Sequence, residues 1–158
     1  MKVKVKDVMV ANASFCRPEF NLAEVAAIMR NERCGALPVV NDAGDVTSMI
    51  TDRDVCIALG TRNIRASDVA VKDVSPARYF ACAPGEDVHS ALKTMASQAV
   101  RRLPVVDEAG KLAGVLSIDD VILHSRADSE IDFTEIVTTL KAIYADRVRN
   151  HGELAALA

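Results

Sequence analysis

Two stretches of the chain carry apolar residues at the spacing of a helix, and each is followed by two short apolar runs broken as in a β-hairpin. Leu22, Val25, Ala26 and Met29 fall at i, i+3, i+4 and i+7, which predicts one apolar helical face. Val88, Ala91, Leu92 and Met95 predict the same face further on. Asn21 with Glu24 three residues later reads as a capping box, and Asp87 is a natural N-cap. Downstream, the runs 36–40 and 46–51 flank Asn41-Asp42-Ala43-Gly44, and the runs 103–106 and 112–117 flank Asp107-Glu108-Ala109-Gly110. Asx and Gly supply the turn chemistry that joins two strands.

These patterns are one pattern written twice. Leu37-Pro38-Val39-Val40 recurs as Leu103-Pro104-Val105-Val106, 66 residues on. At the same offset Val5-Lys6-Asp7-Val8 becomes Val71-Lys72-Asp73-Val74, Cys16 and Pro18 become Cys82 and Pro84, and Asp54-Val55 becomes Asp120-Val121. An internal repeat in a single register marks a duplication. The units are 3–59 and 69–125, joined by a linker over 60–68 and followed by a tail over 126–158. Each unit reads as a turn of helix and then β-α-β-β-α, an α/β (α+β) architecture. One unit buries too little surface to be secure alone, so the two are expected to pack about a pseudo-twofold axis. In the tail, Asp132 with Glu135 marks a helix start, and Phe133, Ile136, Val137, Leu140, Ile143 and Tyr144 form an apolar stripe for packing on the module or on a dimer mate.

Composition narrows the function. Half of the 158 residues are hydrophobic, with Trp absent, so the core is aliphatic. A net charge of −3, with 19 basic and 22 acidic residues spread along the chain, lacks the basic stripe of a nucleic-acid binder and does not suit an anionic membrane surface. No apolar stretch approaches the roughly 20 residues of a membrane span, and the Lys/Val alternation at the N-terminus is not a signal peptide. Cys16, Cys34, Cys56 and Cys82 are scattered and read as reduced core residues of a cytoplasmic protein. His89, His124 and His151 have no metal-ligand spacing, and neither a nucleophile elbow nor a Gly-rich phosphate loop is present. No catalytic residue, metal ligand or enzymatic activity is expected.

The candidate chemistry lies at two strand-to-helix corners, Thr51-Asp52-Arg53-Asp54 and Ser117-Ile118-Asp119-Asp120. Two readings stay open. A hydroxyl followed three residues later by an acid is a helix cap, and the chain is then a structural or dimerising module without a ligand. The same corner also suits a nucleotide. Thr51 or Ser117 would meet a phosphate at a helix start, Asp54 or Asp120 would accept bonds from two ribose hydroxyls, and Met49, Ile50, Val115 and Leu116 would wall a base. Arg53, Arg101 and Arg102 are either phosphate ligands or solvated charges.

The repeat, the twin Leu-Pro-Val-Val strands and the twin hydroxyl-x-x-Asp corners together resemble a tandem pair of CBS domains (cystathionine-β-synthase type), of the stand-alone bacterial kind. The resemblance covers residues 3–125. It implies binding of an adenosine-containing ligand (AMP, ADP, ATP, NAD or S-adenosylmethionine) in clefts between the two units, with Phe15, Cys16, Ala36, Ala81 and Cys82 joining the base pockets. It implies a regulatory homodimer whose ligand state is read by an unidentified partner protein. One departure stands out: copy two has Gly114 three residues before its hydroxyl, as the family usually does, and copy one has Ser48.

Overall fold

The computed structural model describes residues 2–125 and 130–155, with side chains up to residue 145. Of the tail expected from 126, residues 126–129 and 156–158 lie outside the described residues, as does the side chain of His151.

In chain order the elements are α1 (Val5–Val8), β1 (Val10–Ala11), α2 (Leu22–Glu32), β2 (Ala36–Val40), β3 (Val46–Thr51), α3 (Asp52–Arg62), α4 (Val88–Gln98), β4 (Arg102–Val106), β5 (Leu112–Ser117), α5 (Ile118–His124) and α6 (Phe133–Ala155). Two single 3₁₀ turns, Ala66–Asp68 and Val71–Asp73, lie between α3 and α4. Local chemistry sets the helix starts. The Asn21 side chain accepts the Ala23 and Glu24 N–H groups at 3.0 Å each, and Glu24 accepts the Asn21 N–H at 2.8 Å. Asp87 accepts the His89 N–H at 3.0 Å, which holds its carboxyl below the usual carboxylate range. On α2 the buried face is Leu22, Val25 and Met29; Ala26, expected on it, lies at its rim and is exposed. In the hairpin turns Gly44 (φ 86°) and Gly110 (φ 82°) take the left-handed conformation that a side chain disfavours.

The chain divides into two compact units. The central unit is Asn12–Tyr79 with Val106–Ala113, and the terminal unit is Met1–Ala11, Phe80–Val105 and Gly114–Ala158. Neither coincides with a sequence repeat, because the lead segments are exchanged. In the central unit the second repeat's lead binds the first repeat's body: Leu22 N–H to Val69 O (3.0 Å), Val71 N–H to Phe20 O (2.8 Å) and Lys72 N–H to Pro18 O (2.9 Å). In the terminal unit the first repeat's lead makes the matching bonds: Val88 N–H to Val3 O (3.1 Å), Val5 N–H to Glu86 O (3.0 Å) and Lys6 N–H to Pro84 O (3.0 Å).

In the central unit β2 and β3 pair antiparallel, Leu37 opposite Ile50, and Cys16 bridges Val39 in parallel. Val46, Ser48 and Ile50 of β3 point inward by the two-residue period of a strand. Cys16, Leu22, Val25, Leu37, Ile50 and Val71 belong to one core cluster. The terminal unit carries the order β1-β5-β4, with Cys82 bridging Val105. Its fully buried residues include Val5, Val88, Leu92, Met95, Leu103 and Leu116.

The stripe expected along α6 splits in two. Ile136, Thr139 and Ile143 are buried where α6 packs on α4, whereas Phe133, Val137 and Tyr144 are exposed. His89 Nδ1 and Glu135 Oε2, 2.6 Å apart, tie the two helices at one end.

Candidate functional site

Both predicted corners form, and both are capping boxes. Thr51 is the N-cap of α3. Its N–H and its hydroxyl both donate to Asp54 Oδ2 (2.8 and 2.6 Å), and its Oγ1 accepts the Asp54 N–H at 3.2 Å. Ser117 repeats this with Asp120 on α5: 2.8 Å from the N–H, 2.5 Å from the hydroxyl, and 3.1 Å from the Asp120 N–H back to Oγ. Each acid uses one carboxylate oxygen in its cap. Among the described residues Oδ1 of Asp54 and of Asp120 has no donor, and both acids are half-buried. A fixed carboxylate with one open oxygen is suited to accept hydrogen bonds from vicinal hydroxyls.

The backbone around the two caps differs. On α3 the first three N–H groups are all taken: Asp52 N–H by Gly35 O (3.1 Å), Arg53 N–H by Asp52 Oδ1 (2.7 Å) and Asp54 N–H by Thr51. On α5 the Ile118 N–H goes to Arg101 O (2.9 Å) and the Asp120 N–H to Ser117, while the Asp119 N–H has no acceptor among the described residues. The cause is one side chain. Asp52 is exposed and its carboxylate folds back on its own helix to accept the Arg53 N–H, whereas its counterpart Ile118 is buried and offers the Asp119 N–H no acceptor. Gly35 makes room for Asp52, since a Cβ there would meet Asp52 Oδ2 at 2.9 Å. The residue at Gly35's place in the second repeat is Arg101.

The remaining candidates are placed as follows. Arg53 and Arg101 are exposed, and Arg102, at the start of β4, brings its guanidinium to 3.8 Å from Asp119. Ala36 is buried and pairs with Thr51 across β2–β3. Ile50, Leu116 and Cys16 are completely buried and Cys82 nearly so, and burial pushes both thiols up to about 12. Met49 and Val115, on the opposite strand face from Ile50 and Leu116, are half-buried. Ala81 is exposed, and Phe15, also exposed, lies with its ring centroid 5.6 Å from the Arg17 guanidinium. The central unit also has a cavity of about 270 Å³ reaching from Asp54 along α3, lined in part by Ile57, Thr61, Arg62 and Asp73; no sequence pattern marked it. Among the described residues no three His, Cys, Asp or Glu side chains are grouped to hold a metal ion, and no helix is long and apolar enough to cross a membrane.

A sequence profile of the CBS domain matches the chain twice, over residues 5–61 and 67–126. The chain belongs to the CBS-domain family. A CBS domain-containing protein of Bacillus subtilis, YhcV, is 29% identical over 78% of this chain and 86% of its own length. Other relatives are longer: the chain spans 54% of an uncharacterised Methanopyrus kandleri protein and 21% of the inosine-5′-monophosphate dehydrogenase of Mycobacterium leprae, where the match covers 114 residues. Among solved structures, CBSX2 in complex with AMP has a TM-score of 0.66 at 23% identity, covering 76% of this chain and 93% of that one. The CBS domain pair of MJ0100, in complex with 5′-methylthioadenosine and S-adenosylmethionine, has a TM-score of 0.69 at 19% identity, covering 78% and 95%. At these identities the likeness establishes the fold of a CBS pair, as the resemblance implied.

Proposed function

We propose that this chain is a regulatory sensor of an adenosine-containing ligand, with AMP, ADP, ATP, NAD and S-adenosylmethionine as the class to test. The observation that carries this reading is the recurrence, in both repeats, of a half-buried Asp held by its cap with Oδ1 open. In this reading Asp54 and Asp120 hold the ribose hydroxyls, and Thr51 and Ser117 face the 5′ substituent. Met49 and Val115 lie against the base, and Arg101 and Arg102 supply positive charge at the second corner. The AMP, methylthioadenosine and S-adenosylmethionine complexes of CBSX2 and the MJ0100 pair support it. The role is binding rather than turnover. Ligand shifts the balance between two arrangements of a cytoplasmic homodimer, through its different affinity for each, and a partner protein reads the shift.

The completed capping boxes favour a second reading, in which both corners are caps and nothing more. Thermal melting against the five ligands, on the wild-type chain and on Asp54→Ala and Asp120→Ala, separates the two. A ligand at about 100 times its dissociation constant adds about 2.7 kcal/mol per site, or roughly 5–10 °C here. A shift for one ligand, lost in one Asp variant, supports sensing. No shift with any of the five leaves the structural reading standing.

A further inference from the structure

We propose that α6 carries a second, outward seam, and that a second copy of the chain docks there, its own α6 lying antiparallel against the first. The inference rests on the homodimer reading above, not on the adenosine reading, and names the surface that the pairing uses.

α6 has more apolar surface than its own unit covers. Ile136, Thr139 and Ile143 are buried where it packs on α4. Phe133, Val137, Leu140 and Tyr144 fall on another face, about a quarter of a turn round the helix. Phe133, Val137 and Tyr144 are each close to half exposed, and Leu140 is half-buried. α5, which packs beside α6, adds Ile122 and Leu123, both exposed. For side chains of this size the bare apolar area amounts to roughly 500 Å² per copy, toward the upper end of the patches found on monomers. Two copies together cover roughly 1,000 Å² of it. Apolar atoms make up about 60% of an interface, so the whole contact comes to about 1,600 Å², the size of a stable one.

Spacing and charge decide the occupant and its direction. The steps between the four seam residues are 4, 3 and 4, the alternation of a two-helix seam. That order reads the same from either end. A two-fold axis crossing the helix midway between Val137 and Leu140 therefore sets Val137 on the partner's Leu140 and Phe133 on the partner's Tyr144. The aliphatic pairs form the centre, where binding energy concentrates, and the aromatic pairs close the ends. In this direction the exposed Asp132 lies within about one turn of the partner's Lys141, whereas a parallel pair sets Asp132 against Asp132 and Lys141 against Lys141.

The test uses the full chain without ligand. Sedimentation equilibrium should give a dimer for the wild type. Val137→Lys places a charge at the centre of the seam and should weaken dimerisation by about a hundredfold. Thr138→Lys, one residue on and directed to the other side of the helix, should leave it unchanged. Circular dichroism reports whether both variants keep the fold; should Val137→Lys disturb α6, the isosteric Val137→Thr carries the comparison, with a loss of about tenfold. Direction is read by mixing a Val137→Cys chain with a Leu140→Cys chain under mild oxidation. Peptide mass spectrometry should find disulfides between positions 137 and 140 ahead of those between like positions. A dimer untouched by the Val137 substitutions pairs through another surface and overturns the proposal while the homodimer reading stands. Disulfides formed mainly between like positions overturn the antiparallel seam in the same way. A wild-type chain that sediments as a monomer overturns both, and the adenosine reading is untouched in every case.

Discussion

The Ser48 hydroxyl donates to the Pro76 carbonyl at 2.6 Å, and this bond replaces a strand pairing that the other repeat makes. The counterparts of Ser48 and Pro76, 66 residues away in each case, are Gly114 and Val10. There the Val10 carbonyl lies 2.5 Å from where a Cβ on residue 114 would be, because β1 pairs directly on β5. Pro76 has no N–H with which to pair, so the chain stands off and a hydroxyl reaches its carbonyl instead. The Ser in copy one and the Gly in copy two are two solutions to one approach of the chain.

The two positions should therefore not be interchangeable. Ser48→Ala removes a partly buried hydrogen bond and is expected to cost about 1 kcal/mol, with Ser48→Gly slightly worse. Gly114→Ala must displace β1 and is expected to cost about 1–3 kcal/mol. Urea denaturation of the three variants checks the order. A Gly114→Ala variant as stable as wild type would mean that β1 does not hold its place on β5.

Removing the corner acids separates the cap from the site. Asp54→Ala and Asp120→Ala each lose a capping box and are expected to cost about 1 kcal/mol without ligand. Asn in either position retains an acceptor oxygen for the N-cap N–H and should recover part of that loss. Under the sensing reading, ligand affinity falls in the Asn variants as well, since a neutral amide is a weaker acceptor for two hydroxyls. Melting with and without ligand gives both numbers from one set of samples.

Cys16 and Cys82 should be inert while the protein is folded. Burial pushes both thiols up to about 12, so neither supplies thiolate at neutral pH, whereas Cys56 is exposed on α3. Iodoacetamide at pH 8 should modify Cys56 in the native chain and reach Cys16 and Cys82 only in denaturant; mass spectrometry of the peptides decides it. The same shift sets an alkaline limit. The folded values lie above the ordinary thiol value of 9.0, so the unfolded chain loses these protons first. The contribution is fully present below about pH 9 and is lost as pH rises toward about 12. Replacing both cysteines with Ala should flatten that alkaline decline.

The α4–α6 contact should depend on Ile143. Its side chain is completely buried while Tyr144 beside it is exposed. Ile143→Ala is expected to cost about 2–4 kcal/mol, and Tyr144→Ala little. Hydrogen exchange should show faster amide exchange along α6 in the first variant and an unchanged helix in the second.

Periodicity alone located the helices α2 and α4 and both hairpins, and the capping signatures at Asn21, Thr51, Asp87 and Ser117 all formed. The strand bounds 36–40, 46–51 and 112–117 match those observed, and β4 starts one residue earlier than read. These features are legible because their causes lie within a few residues: a side-chain oxygen reaching an N–H two or three positions on, a two-residue or 3.6-residue burial period, a Gly in a turn. The apolar stripe of the tail was legible as a helix but not as two faces, since only a neighbour decides which apolar residues are covered.

By itself, then, the sequence determined the duplication, the element order and the twin capped corners, all of them local patterns in one register. Tertiary structure decided the rest. The lead segments change places, so that Val5 packs with the second repeat and Val71 with the first; β1 finds β5, and Ser48 finds Pro76. Each of these depends on which segment arrives beside another, or on which free group a side chain finds within reach, and those are settled by the free energy of the assembled unit rather than by neighbours in the chain.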